Sequence, residues 1–164
     1  MTIDFSSPAP DFISVRIYTP TAHDRCLIIG EMSGVWIHWM GKRSLPCLGK
    51  SCPKARHSKP CRWVGYIPIT VWNAHEAKPR PLRAILALTA QKWQIVQNKL
   101  VDLPTGKSLQ ISVDKNPESR QWRIADLDFV DNPFPLLTSF PVSNELLRIW
   151  GIPPDTLNTK EGTE

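Results

Sequence analysis

Residues 34–72 read GVWIHWMGKRSLPCLGKSCPKARHSKPCRWVGYIPITVW, and the two ends of that stretch differ from its middle. In "VWIHW" the side chains alternate, with Val35, Ile37 and Trp39 on one side and Trp36 and His38 on the other, the period of a strand. "RWVGYIPITVW" is rich in the β-branched and aromatic residues that suit a pleated surface. Between them lies a polar, proline-containing segment with Cys47, Cys52, His57 and Cys61 and too few apolar side chains to fold by burial. The stretch therefore predicts two strands separated by an inserted loop over 41–63 that needs something other than a core to order it.

Working outward, "FISVRIYT" and "CLIIGEM" are further short apolar runs. "SVRIY" places Val15 and Ile17 on one face and Arg16 and Tyr18 on the other. The chain has 16 prolines, nine of them between Pro8 and Pro81, which argues against long helices in the first half. "LRAILALT" reads as a buried strand ending at Thr89. "AQKWQIVQNKL" then reads as a helix with Thr89 as N-cap and an apolar stripe of Trp93, Val96 and Leu100. "SLQISVD" and "RQWRIADLDF", joined by "KNPES", predict a hairpin. "DNPFPLLTSFP" reads as a linker, and "SNELLRIWG" as a short helix capped by Ser143 and stopped by Gly151. Together these predict a mainly β protein: a small closed barrel of five to six strands over 1–130 with one internal helix. A linker, a short C-terminal helix and an acidic tail occupy 131–164.

Charge is distributed unevenly along the 164 residues. The net charge is +5, yet no Asp or Glu occurs between Met32 and His75, while Lys42, Arg43, Lys50, Lys54, Arg56, Lys59 and Arg62 all do. A basic block beside an acidic tail predicts a polyanionic partner, nucleic acid ahead of membrane. No apolar run approaches the roughly 20 residues that span a bilayer. The amino terminus lacks a secretory pattern. Both point to the cytoplasm, where clustered thiols signal metal more often than disulfide.

The spacing Cys-x4-Cys-x4-His-x3-Cys offers Cys47, Cys52, His57 and Cys61 as a Cys3His set for a structural zinc. His38, nine residues before Cys47, is the rival for the histidine position. Cys26, in "RCLII", reads as a small buried apolar residue. Seven tryptophans are many for this length, and Trp36, Trp39, Trp63, Tyr66 and Trp72 bracket the basic loop. Rings on which bases stack, interleaved with cations, are the chemistry that holds single-stranded nucleic acid. Trp36, Trp39, Lys42, Arg43, Lys59, Arg62, Trp63 and Tyr66 are therefore expected to line a binding groove, with at least two of the four rings exposed. No nucleotide-binding loop, nucleophile elbow, zinc-protease or deaminase signature is present, so a binding protein is expected rather than an enzyme. Asp126 and Asp128 would share a strand face and read as solvent-facing.

The run "IHWMGKRSLPCLGKSCPKARHSKPCRWVGY" resembles bacterial and phage-like single-stranded DNA-binding proteins. In plan it is similar to the zinc-containing helix-destabilising proteins of tailed phages. In those proteins a zinc subdomain interrupts an OB-fold. The resemblance extends more loosely over the strand, helix and hairpin to Phe129. It implies an OB-like barrel, Cys47 and Cys52 as zinc ligands, and Trp39, Arg43, Trp63 and Tyr66 as groove residues. It also implies single-stranded DNA or RNA as partner, with the C-terminal tail recruiting a replication, repair or mobile-element protein. The cysteine such loops often carry three residues after the second is Ala55 here. His57 or Cys61 must take its place, and His38, which fits the histidine-first order of those proteins, becomes a stronger rival to His57, which the local spacing favours. An alternative is a zinc-containing interaction subunit of a nucleic-acid-processing complex.

Overall fold

The computed structural model describes residues 15–39, 44–47, 61–116, 118 and 121–152, Trp39 by its backbone alone. Among these residues the chain is mainly β, with eight strands and two helices. In order they are β1 (Ile17–Tyr18), β2 (Asp24–Ile28), β3 (Ser33–Trp39), β4 (Ser44–Pro46), β5 (Arg62–Asn73) and β6 (Leu82–Thr89). Then come α1 (Ala90–Leu100), β7 (Ser108–Lys115), β8 (Trp122–Val130) and α2 (Val142–Trp150).

The spine is β5, the longest strand. One edge pairs antiparallel with β6 from Val64 to Val71. The other edge is shared: β3 pairs with its first half, Trp36 opposite Trp63, and β2 with its second half, Ile28 opposite Ile69. A proline inside a central strand would normally break a ladder. Pro68 is tolerated because Ile29 N donates to Pro68 O (3.0 Å), so the proline nitrogen faces the break between β2 and β3. The strand order β1-β6-β5-β2-β7-β8 continues through an antiparallel β7–β8 hairpin, with a bulge between Ser112 and Val113.

Alternation along these strands separates two cores. One face buries Cys26, Ile67, Ile69, Val71, Ala84, Leu86, Leu88, Leu109, Ile111 and Val113 around Val96 of α1. The opposite face buries Ile37, Val64, Tyr66 and Ile85 under Val142, Leu146 and Trp150 of α2. Val15 and Ile17 join the second core and Tyr18 packs on the first, the division their alternation predicts. Thr89 caps α1, accepting from Lys92 N (3.2 Å), and Trp93 and Leu100 flank Val96 against the core.

Among the described residues no closed barrel forms. The sheet is open and mixed, because β1 lies parallel on the outer edge of β6 at Ile85 and Leu86, where a closing strand would pair. Instead α1 bridges the opening, packing on β5, β6 and β8. Lys92 lies over the Trp122 ring (4.2 Å) and Lys99 over the Phe129 ring (4.8 Å), so cation–π contacts hold the helix to β8. Burial against this surface pulls the Lys92 ammonium below its ordinary pKa. Ser143 is not the N-cap of the last helix: α2 starts at Val142 after Pro141, with no side-chain cap. Gly151 does end α2, at φ 69°, a left-handed conformation that suits glycine. No helix among the described residues is long and apolar enough to cross a membrane.

Candidate metal centre and the face beside it

The short strand β4, inside the basic segment, was not legible in the sequence, and it changes the geometry of the cysteines. Trp39 pairs with Ser44 and Ile37 with Pro46, so the chain folds back along β3 as soon as it leaves it. Cys47 then follows β4, its N–H donating to Trp36 O (2.7 Å). Cys61 immediately precedes β5, whose Arg62 opposes Ile37. Two thiols distant in sequence thus reach β3 from its two edges, beside His38.

His38, Cys47 and Cys61 each offer one ligand atom, and these atoms lie within 4.8 Å of one another. Cys61 Sγ is 3.1 Å from His38 Nε2 and 2.7 Å from Cys47 Sγ. Imidazole nitrogen and thiolate sulfur are the donors zinc selects, and two cysteines with a histidine make up three corners of a tetrahedral site. Two thiolates bound to one zinc at about 2.3 Å sit about 3.7 Å apart, so the sulfurs would part by about an ångström around an ion. The residues fit a metal. His38 is fully buried (0 % exposed), held by the strand rather than by a loop. Of the predicted ligands, Cys47 and Cys61 come together. His38, the rival histidine, joins them, and Cys52 and His57 lie outside the described residues. Cys26 is a buried thiol of the first core, and burial pushes its pKa up.

The predicted groove residues divide between two faces, because neighbours along a strand point to opposite sides. Trp36 and Trp63 lie directly opposite one another on the His38 side. Trp36 is 57 % exposed, the expected behaviour of a groove ring. Trp63 is half-buried. Its ring lies across the paired glycines Gly34 and Gly65, so close that a Cβ on Gly34 would stand 2.6 Å from Cζ2. Gly34→Ala is therefore expected to lift the Trp63 indole and cost about 1–3 kcal/mol as an overpacking change, readable as a red-shifted tryptophan emission and a lower melting temperature.

Tyr66 is a correction to the expected groove. It is 2 % exposed on the α2 face, edge-on to Trp150 with ring centroids 5.9 Å apart. Burial raises its phenol pKa, and the Arg62 guanidinium pulls the other way. Arg62 is exposed on that same α2 face, where it lines a shallow pocket of about 290 Å³ with Ile37, Tyr66 and Trp150. Lys42, Arg43, Lys59 and the Trp39 side chain lie outside the described residues. Trp72, also in the bracketing set, packs edge-on against Phe134 (5.0 Å). Asp126 and Asp128 are exposed, as read from the sequence. A hydrogen bond with Asp126, reinforced by its charge, raises the Asp128 pKa.

From Trp63 the same face runs past Met32 to a cleft of about 520 Å³ between β2, β7 and the end of α1. Ile28, Met32, Trp93, Leu100 and Lys107 line it. Trp93 is thus not wholly core, since it packs on the first core and also lines this cleft.

Compared with protein-family models, curated proteins and solved structures, the chain matches none.

Proposed function

We propose that this protein is a single-stranded nucleic-acid binding module, DNA ahead of RNA, ordered at one end by a structural zinc on His38, Cys47 and Cys61. The observation that carries the reading is the exposed Trp36 ring, set beside Trp63 on the same sheet face as the candidate metal centre. The stretch that contains them has seven cations and no carboxylate between Met32 and His75. Aromatic faces offer sequence-independent stacking and the cations track phosphates. The zinc would supply folding rather than chemistry, so the module is a binder and not an enzyme.

The strand plan supports the same reading. If β2 and β3 count as one broken strand, then β5, β6, α1, β7 and β8 follow the five-strand, partly open plan of an OB-fold. The resemblance of the cysteine stretch to phage-type helix-destabilising proteins belongs to this proposal too. The acidic residues beyond 152 would recruit a partner protein.

Titration of labelled single strands at several salt concentrations tests it. Counterion release gives a log–log slope of roughly −0.7 per phosphate contact, so the cations near the loop predict about −2 to −5. Trp36→Ala should weaken binding by about 1–3 kcal/mol without moving the melting temperature. No binding, or binding with a flat salt response, would favour a protein-docking subunit instead.

A further inference from the structure

The two sulfurs of the candidate metal centre are closer than zinc alone requires. Cys47 Sγ and Cys61 Sγ are 2.7 Å apart. Two thiolates on one zinc sit about 3.7 Å apart, and a disulfide bond measures about 2.05 Å. The pair therefore lies nearer to bonding distance than to metal spacing. Each residue also sits just outside a strand, Cys47 one residue past β4 and Cys61 one residue before β5. Cys47 is anchored by its N–H to Trp36 O (2.7 Å) and Cys61 adjoins the Arg62–Ile37 pair, so both thiols are held beside the same stretch of β3. Both thiols are half-buried, so a small oxidant reaches them, whereas Cys26 is fully buried and out of reach.

We infer that Cys47 and Cys61 form a reversible disulfide under peroxide, and that its formation ejects the metal. The inference rests on the metal reading for its second half and on the sulfur geometry for its first. In the first step one sulfur attacks a peroxide oxygen. An S–O bond forms, the O–O bond breaks, and the departing hydroxide leaves as water with a proton. In the second step the other sulfur attacks the sulfenic sulfur. The S–S bond forms, the S–O bond breaks, and a second water leaves. Two thiols and one hydrogen peroxide give one disulfide and two waters, with two electrons passing from sulfur to oxygen; from two zinc-bound thiolates the same products take two protons from solvent and release the zinc ion. Neither sulfur is then a thiolate, the form that binds zinc, and His38 alone among the three cannot hold the ion.

The product is not an unravelled site. A Cys47–Cys61 disulfide would still tie the end of β4 to the start of β5 across β3, replacing the metal tie with a covalent one. The oxidised protein should therefore stay folded while losing its ion, and a dithiol reductant with added zinc should restore it.

The test uses the full-length protein with hydrogen peroxide alone. Peptide mapping without reductant should find Cys47 joined to Cys61, and a colorimetric zinc chelator should report about one equivalent released in step with the cross-link. Dithiothreitol should reverse both. A Cys47–Cys61 cross-link in a protein that never held metal would uphold the disulfide and sink the zinc reading alone. Retained metal with no cross-link overturns the inference and leaves the zinc reading standing. A cross-link of either cysteine to Cys52, or oxidation that stops at sulfinic acid, overturns it as well. Cys26→Ser should change none of these outcomes.

Discussion

Stripping the metal, by chelation or by His38→Ala, is expected to loosen one end of the sheet and leave the other end folded. The candidate ligands sit on β3, after β4 and before β5, so an ion held there would cross-link three neighbouring segments. The first core, built on β2, β5, β6, β7, β8 and α1, includes none of the three. A cross-link of this kind contributes about 2–4 kcal/mol, taking the disulfide as a guide. Amide exchange should therefore accelerate by about 30- to 800-fold where the tie is lost, since each 1.4 kcal/mol is a factor of ten. The sensitive amides are those at 35–38, at Cys47, whose N–H bonds Trp36 O, and at 62–64. The ladder pairing Cys26 with Ile111 should exchange as before. Native mass spectrometry should show about one zinc in the wild type and none in His38→Ala. Uniform acceleration across the sheet would mean that the metal holds the whole fold together.

How much of this was legible in the sequence depends on the range of the interactions. The hairpin of β7 and β8, the α1 stripe and the Thr89 cap are set by neighbours a few residues away, and periodicity with cap chemistry exposes them. The open sheet was hidden because closure turns on which strand takes the outer edge of β6. The pairing of Ile17 with Ile85 spans most of the domain and leaves no local mark. The cysteine spacing flagged a metal and favoured His57, which lies outside the described residues. His38 joins the site through the fold-back of β4 onto β3, and a three-residue strand ending in proline gives almost no strand signal. Of the expected groove rings, Trp36 is exposed and Tyr66 is buried on the opposite face. Alternation alone separates Trp63 from both Arg62 and Tyr66, so no single face could collect all three. The amphipathic pattern of "NELLRIW" was visible, but what it packs against was not, because its partners lie on β3, β5 and β6.

That helix carries the second large effect. Trp150→Ala is expected to cost about 3–5 kcal/mol, the usual range for truncating a buried ring. Trp150 is 8 % exposed and closes the second core over Tyr66, with Val142 and Leu146 beside it. For a chain of this size each kcal/mol moves the melting temperature by roughly 2–4 °C, so a fall of about 6–20 °C should follow. Tyr66→Ala should cost a similar amount from the other side of the contact. The double variant should lose less than the sum, because an edge-on aromatic pair couples by about 0.5–1.5 kcal/mol. Leu136→Ala, at a site 93 % exposed, should stay within about 0.5 kcal/mol of wild type and serves as the control. The same variants separate stability from binding. Well below their melting temperatures, Tyr66→Ala and Trp150→Ala should bind single strands with wild-type affinity, since both rings lie on the face opposite Trp36. Trp36→Ala should show the inverse pattern, with stability intact and affinity lost. If Tyr66→Ala instead melts like the wild type but releases the oligonucleotide, the bases lie on the α2 side, and the pocket of Arg62, Ile37 and Trp150 becomes the binding surface.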